Sequence, residues 1–466
     1  MVSPAIELVL GLGESGLAMA RWLSRQGFRV RVADSRSNPP GIAALCEACP
    51  QIEVVCSPFS ENLLDGVGRV VLSPGLSINE PLVHAARKRG ITISGEIELF
   101  VQALDDLGER QRCKLLAITG TNGKTTTTAL TGALAEAAGH EVAVAGNISP
   151  AALDELMRRL DRGKLPEVWV LELSSFQLET TGALRADAAA VLNVTDDHLD
   201  RHGDMATYAS TKAGVFAGGA VQVLNRQDAY SIGMSREGHA QISFGLDAPV
   251  TEADFGLVSH AGERWIARGS KLLMPAADVP LAGEHNLANV MAALALCAAI
   301  DLPMQPLLSA VECFKGLPHR VEKVATRADG VSFYDDSKGT NVGATLAALQ
   351  GMGRKVVLIA GGDGKGQDFT PLAEALRLHA RAVVLIGRDA RRIEEETASS
   401  ACEYVHAESM DEAVLKADRL AQAGDVVLLS PACASMDMFR NYAHRAEVFI
   451  AAVKALPGIQ GEGNAA

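Results

Sequence analysis

Lys124 and Thr125 follow Gly120-Thr121-Asn122-Gly123, and six residues of these types in this order suit one kind of chemistry, the holding of nucleotide phosphates. Glycines at 120 and 123 let backbone N–H groups turn inward around phosphate oxygens, Lys124 adds a mobile ammonium, and Thr125 adds a hydroxyl suited to Mg²⁺. Other residues able to hold charge sit at the ends of apolar runs. Glu172 closes 168–172, His198 follows 188–194, and Lys212 lies on a helical stretch after Tyr208. A strand-end carboxylate beside a phosphate loop is how enzymes of the P-loop type hold magnesium. The general G-x-x-x-x-G-K-[ST] pattern is incomplete here, because Ile118 stands where its first glycine belongs.

These groups need strands and helices to carry them. Residues 115–118 read as a buried parallel strand, with a helix opening near Lys124. Upstream, the apolar strand 6–10 runs into Gly11-Leu12-Gly13-Glu14-Ser15-Gly16, a helix follows through Leu23, and a second strand, 28–33, ends at Asp34-Ser35-Arg36. That is a dinucleotide-binding fingerprint, which taken alone points to NAD or FAD. Its continuation differs from a dehydrogenase. Ser73-Pro74-Gly75 follows 70–72, a last strand lies near 91–93, and the phosphate loop comes next in place of a second mononucleotide half. Residues 233–280 break into short alternating pieces expected to form a small antiparallel subsheet. Past Gly316-Leu317-Pro318, strands at 331–334, 355–360, 382–386 and 426–429 alternate with helical stretches, as in a further parallel sheet.

The fold expected is therefore α/β in three domains, each built on a mainly parallel sheet flanked by helices. A Rossmann-like domain is expected over 1–104, a central P-loop ATPase domain over 105–316 and a Rossmann-like C-terminal domain over 317–466.

Composition narrows the classes of function. A chain of 466 residues is too long for one core, and 48% apolar residues with few aromatics fit an α/β protein. A net charge of -13 without an extended Lys/Arg block argues against nucleic acid as the main partner. No apolar run reaches the length of a membrane span, so neither membrane insertion nor export is expected, and the expected compartment is the cytoplasm. Eight cysteines are scattered. Cys46, Cys49 and Cys56 lack a fourth zinc ligand nearby and read as thiols.

The string GTNGKT resembles the ATP loop of the Mur ligase superfamily, and further motifs can be set against it. Glu172 to Leu178 matches ELSSFQL, 193–201 resembles NVTxDHxDR, Tyr208 and Lys212 match YxxxK, and His285, Asn286 and Asn289 match HNxxN. Asp336 to Asn341 matches DSKxTN, the version of the D-glutamate-adding branch, and 361–369 and 430–439 resemble GGxxKGxDF and SPAxASxDxF. Gly339, Met436 and Tyr442 stand where relatives often have alanine, leucine and phenylalanine, which leaves the contacts of Tyr442 open.

By that resemblance ATP is held by Gly120, Thr121, Asn122, Gly123, Lys124, Thr125, Thr126 and Thr127, with Asn289, Arg320 and Asp336 from later segments. It implies two Mg²⁺ ions, one on Thr125 and Glu172, the other on His198 and a carbamylated Lys212. Lys124, Glu172, His198 and Lys212 are the implied catalytic set. Gly13, Glu14 and Ser15 are expected at a sugar-nucleotide diphosphate, Asp34, Ser35 and Arg36 at uracil, and Ser73, Pro74, Gly75 and Asn147 along the same cleft. Lys338, Thr340, Ser435 and Tyr442 are expected to seat an amino acid. The implied reaction is ATP-dependent addition of D-glutamate to UDP-N-acetylmuramoyl-L-alanine by a monomer. A different ligase of the superfamily, a folylpolyglutamate synthetase, a nicotinamide-dependent oxidoreductase and a non-catalytic nucleotide-binding regulator remain as alternatives at this point.

Overall fold

A computed structural model describes residues 5–182 and 184–461. It contains three sheets, each mainly parallel and flanked by helices. The first has the order Glu53–Cys56, Arg29–Asp34, Ile6–Leu10, Val67–Leu72, Thr92–Ser94, with every pairing parallel. Strand order reverses direction between Ile6–Leu10 and Val67–Leu72, which opens a crevice at their carboxyl ends.

The second sheet is centred on Lys114–Thr119, flanked by Ala188–Val191 and Val168–Glu172, with Val142–Gly146 beyond the latter. All five residues of Val168–Glu172 are buried, because helices cover both faces; its sequence is a continuous apolar run for the same reason. Residues expected as a separate antiparallel subsheet instead extend this sheet. Val221–Asn225, Gln241–Phe244 and Phe255–His260 continue it in parallel, and the antiparallel step comes only at Glu263–Arg268.

Helix Lys124–Ala137 carries four threonines directly after Lys124, and their β-branched side chains disfavour a helix. Burial overrides that preference: Thr126, Thr127 and Thr128 are all buried, and the helix packs on the sheet through Leu130 and Leu134.

The described residues gather into two compact units. One comprises 5–182, 184–194, 198–274 and 290–311 and holds the first two sheets; the other comprises 195–197, 275–289 and 312–461 and holds the third. Helix Glu96–Asp106 runs across the break expected after residue 104 and joins the first two sheets in one core, where Phe100 meets Trp169 edge-on at 4.8 Å.

The third sheet has the order Glu403–His406, Ala380–Ile386, Val356–Gly361, Val426–Leu429, Ser332–Asp335, Glu322–Arg327, Ile459–Gly461. Its first five strands are parallel, and the last two join antiparallel.

Candidate active site

In the first unit the phosphate loop leaves Lys114–Thr119 at the carboxyl edge of the sheet. Gly123 takes φ +83° as the residue before helix Lys124–Ala137, a conformation that favours glycine. Asn193, at the end of the neighbouring strand, braces the loop. Its side-chain oxygen accepts from Asn122 N–H at 2.8 Å, its amide donates to Asn122 O at 3.0 Å, and its backbone carbonyl accepts from Thr121 N–H at 2.9 Å. Lys124 Nζ curls back to donate to the carbonyls of Gly120 and Thr121, at 2.8 and 2.7 Å. Thr121 shares a hydrogen bond with Tyr208. Thr125 lies in the first turn of the helix, and Thr126 and Thr127 are buried behind it.

Glu172 ends the strand beside the loop, in register with Ile118 on one side and Gly146 on the other. It is 2% exposed; Oε1 accepts from Asn147 Nδ2 at 2.8 Å, and Oε2 is buried with no hydrogen-bond partner. An ionised carboxylate oxygen left in that state is costly unless a cation meets it. A buried carboxylate oxygen of this kind suits a hard cation such as Mg²⁺. Glu172 therefore fits its part in the first expected metal site, and Thr125 stands in the first turn of the loop helix.

The second expected site does not fit in the same way. Lys212 is 1% exposed, and its Nζ donates to Gly120 O at 2.8 Å, lying 4.4 Å from the Tyr208 ring centre. As an ammonium it is a donor and cannot ligate a cation. His198 has a left-handed backbone, φ +56°, and its ring meets Phe176 at 4.8 Å.

The three segments expected at the sugar nucleotide lie at the carboxyl ends of adjacent strands of the first sheet. Gly11 must be glycine, since φ is +87° and an added Cβ would come within 2.9 Å of Ser73 Cβ. Asp34 is 2% exposed and accepts from Leu12 N–H at 2.7 Å, while Arg36 grips both its oxygens. The Arg36 guanidinium holds the Asp34 carboxyl down at about 2. Asp34 is thus committed to bracing the glycine turn, whereas Arg36, half exposed, presents its outer face. Ser149 and Arg201 link this crevice to the phosphate-loop sheet: Ser149 donates to Glu14 at 2.7 Å, and Arg201 donates to Pro74 O and Leu76 O.

In the second unit, Lys338 Nζ lies 3.8 Å over the Tyr442 ring, which brings two expected amino-acid contacts together although 104 positions separate them (442 minus 338). Ser337 donates to Tyr442 O at 2.7 Å. Behind them Arg445 is fully buried; it donates to Ser337 Oγ and O and to Cys433 O, and burial brings it down to about 10. Asp336 accepts from Ser430 Oγ at 2.7 Å, and burial raises it to about 7. Ser435 is buried, and Thr340 N–H donates to Lys338 O at 2.9 Å. Asn289 is buried and donates to Asn286 at 3.1 Å. Arg320 stands between His319 and Val321, both with positive φ, a strained pair for a branched residue. Of the nine non-glycine residues at positive φ among the described residues, five (His198, His319, Val321, Lys365 and Ala432) lie within or beside the motif segments, so strain concentrates there. Among the described residues the cysteines are free thiols, and Cys46, Cys49 and Cys56 form no ligand set.

Asn193, Arg201, Arg445 and Glu96 are functional positions with no role expected from the sequence. Asn193 and Arg201 stood inside a motif, but their partners lie far along the chain. Arg445 sits on a helix whose pattern gives no sign that its guanidinium is internal.

A strand-loop-helix phosphate site, a strand-end carboxylate with an orphaned oxygen and a second crevice at a strand-order reversal are the marks of an α/β nucleotide-binding protein. Comparison with known proteins narrows this. The Mur ligase MurD-like N-terminal domain matches residues 6–95, the Mur ligase middle domain 118–297 and the Mur ligase glutamate ligase domain 319–433. UDP-N-acetylmuramoylalanine--D-glutamate ligase of Aromatoleum aromaticum is 60% identical over 97% of this chain and 98% of its own, and that of Nitrosospira multiformis is 53% identical over 98% and 97%. In fold, the chain is similar to the UDP-N-acetylmuramate-alanine ligase MurC of Thermotoga maritima, with TM-score 0.57 and 20% identity over 96% of this chain and 99% of that one. The chain belongs to the Mur ligase family.

Proposed function

We propose that this protein is an ATP-dependent ligase that joins D-glutamate to UDP-N-acetylmuramoyl-L-alanine in the synthesis of peptidoglycan precursors, releasing ADP and phosphate. The observation that carries the reading is the buried, unpartnered Oε2 of Glu172 in register with the phosphate-loop strand, in a chain 60% identical to a ligase of that name. Segments 1–104, 105–316 and 317–466 would serve the sugar nucleotide, ATP and the amino acid respectively.

A free carboxylate is a poor acyl donor. In the proposed reaction the L-alanyl carboxylate attacks the γ-phosphorus, the bond to the β-γ bridging oxygen breaks, and ADP leaves. The amine of D-glutamate then attacks the acyl phosphate; phosphate departs with the carbon–oxygen electron pair, and the amine loses a proton as the amide forms. Such phosphoryl transfer depends on alignment and charge neutralisation more than on covalent help.

The residues divide that work. Lys124, released from the Gly120 and Thr121 carbonyls, and the N–H groups of Gly120 to Thr127 receive the phosphates. Mg²⁺ on Thr125 and Glu172 would neutralise phosphate charge. His198 and Lys212 would serve a second ion only once carbon dioxide has converted the Lys212 amine to a carbamate, an anion with oxygen donors. Asn289, Arg320 and Asp336 are proposed to meet the nucleotide. Gly13, Glu14, Ser15, Ser35, Arg36, Ser73, Pro74, Gly75 and Asn147 are proposed to line the sugar-nucleotide cleft, with Asp34 behind them. Lys338, Thr340, Ser435 and Tyr442 are proposed to seat D-glutamate, Lys338 as a point charge for its carboxylate.

We further infer a cytoplasmic monomer; among the described residues no helix is long and apolar enough to cross a membrane. The test is phosphate release with ATP, Mg²⁺, UDP-N-acetylmuramoyl-L-alanine and each of a panel of amino acids. Release dependent on D-glutamate is expected, and release with L-alanine, L-lysine or diaminopimelate in its place would overturn the assignment.

A further inference from the structure

Arg201 makes four side-chain polar contacts, as many as Asp34, and joins two segments far apart in the chain, 74–76 and 176–179. Its Nη1 donates to Pro74 O at 2.8 Å and its Nη2 to Leu76 O at 2.8 Å. Nη2 and Nε also face the two oxygens of Glu179, at 2.5 and 3.4 Å. The guanidinium carbon lies 4.0 Å from the centre of the Phe176 ring, and that ring meets His198 edge-on. Arg201 is only 12% exposed and Glu179 7%, so water screens the ion pair poorly.

The geometry has a direction. Pro74 and Leu76 enclose the turn that follows Val67–Leu72, where Ser73 O accepts from Leu76 N–H at 3.0 Å. That turn forms one wall of the crevice opposite the glycine turn, with Ser73 packed against Gly11. Neither carbonyl is held by a strand partner, because the turn lies beyond the last paired residue, Leu72. A planar fork that meets two carbonyls and a carboxylate at once fixes such a turn; a lysine, with one compact ammonium, cannot span all three.

We propose that Arg201 is a positioning residue that holds the 73–76 wall of the sugar-nucleotide cleft against the short helix opening at His198. The inference rests on the proposed function for the identity of the ligand in that cleft. Arg201 acts through the wall and through Phe176, without touching the reacting atoms. Loss of the fork leaves ATP binding alone, because Lys124, Asn193 and the loop N–H groups are held by other contacts.

The test compares wild type, Arg201→Lys and Arg201→Ala for binding of UDP-N-acetylmuramoyl-L-alanine and of ATP by calorimetry, together with KM and kcat. Expected is a loss of sugar-nucleotide affinity and turnover approaching about 10²-fold in the alanine variant, with ATP affinity within about twofold of wild type. Arg201→Lys should bind nearly as poorly as the alanine variant, and added guanidinium ion should restore part of the affinity to Arg201→Ala but none to Arg201→Lys. Should Arg201→Ala fail to fold, as judged by its thermal transition, the lysine variant decides. Sugar-nucleotide affinity equal to wild type in Arg201→Lys, or parallel loss of ATP and sugar-nucleotide binding, overturns the proposal. Failure of the wild-type protein itself to bind the sugar nucleotide would instead overturn the functional reading on which it rests.

Discussion

Lys124 and Lys212 donate to a single acceptor: each Nζ lies 2.8 Å from the carbonyl oxygen of Gly120. Two ammonium groups on one carbonyl repel each other, and the repulsion is strong because Lys212 is buried. Conversion of Lys212 to a carbamate would remove it and attract Lys124. Turnover is therefore expected to fall in buffers stripped of carbon dioxide and to recover on adding bicarbonate. Lys212→Arg keeps the charge but cannot take up carbon dioxide, and should lose activity by about 10²-fold or more. Full activity of Lys212→Arg would contradict this account.

Replacing Lys124 removes the charge that meets the phosphates. For Lys124→Ala the expected fall in kcat is about 10²–10³-fold, comparable to deleting one preorganised electrostatic group at a transition state. Sugar-nucleotide affinity, read by calorimetry, should stay unchanged because that cleft lies on the first sheet. Near-normal turnover would be incompatible with the proposed phosphate contacts.

Asn193 holds Asn122 by two hydrogen bonds from a strand end 71 residues away. Asn193→Ala should loosen the loop, lowering stability by about 1 kcal/mol for each bond lost and raising KM for ATP several-fold. Kinetics at varied ATP and a denaturant titration check both effects. An unchanged KM would mean that the loop holds its shape without this brace.

Glu96 opens helix Glu96–Asp106 as a fully internal carboxyl. It accepts from Leu153 N–H at 3.2 Å, with Ser15 and Ala152 also contributing and Asp154 opposing, while Oε2 has no partner. Burial raises it from 4.5 to about 7. Between those values the folded chain holds a proton that the unfolded chain has lost. Stability is thus highest below the unfolded value and declines as pH rises towards about 7, by up to about 3 kcal/mol. Asp336 is raised in the same direction, so Glu96→Gln should flatten part of the slope and leave the rest. Unfolding midpoints at pH 5, 6, 7 and 8 give the comparison; identical slopes in the two proteins would exclude the ionisation of Glu96 as the cause.

What could be read from the sequence follows a physical division. Strands such as Val168–Glu172 were legible because burial on both faces demands an unbroken apolar run, and the chemistry was legible because it collects where such runs end. Glu172, Asn147 and Lys124 stand at those ends. The edge of the second sheet was misread, because alternation in 233–280 marks strands but not the sheet they join. Arg201 and Asn193 were hidden for another reason: a guanidinium or amide reaching a backbone group far along the chain leaves no periodic trace. Arg445 gave the least warning of all, since an arginine on a helix is usually solvated, and only the fold brings Ser337 and Cys433 to it.

The central claim is that ATP activates the acid by transferring its terminal phosphoryl group to a carboxylate oxygen. It is tested most directly by preparing UDP-N-acetylmuramoyl-L-alanine with oxygen-18 in the alanyl carboxylate and following the label through one complete reaction with ATP and D-glutamate. The account predicts ADP, amide product and phosphate carrying one labelled oxygen per molecule. Unlabelled phosphate, or label recovered in AMP with pyrophosphate released, would contradict it.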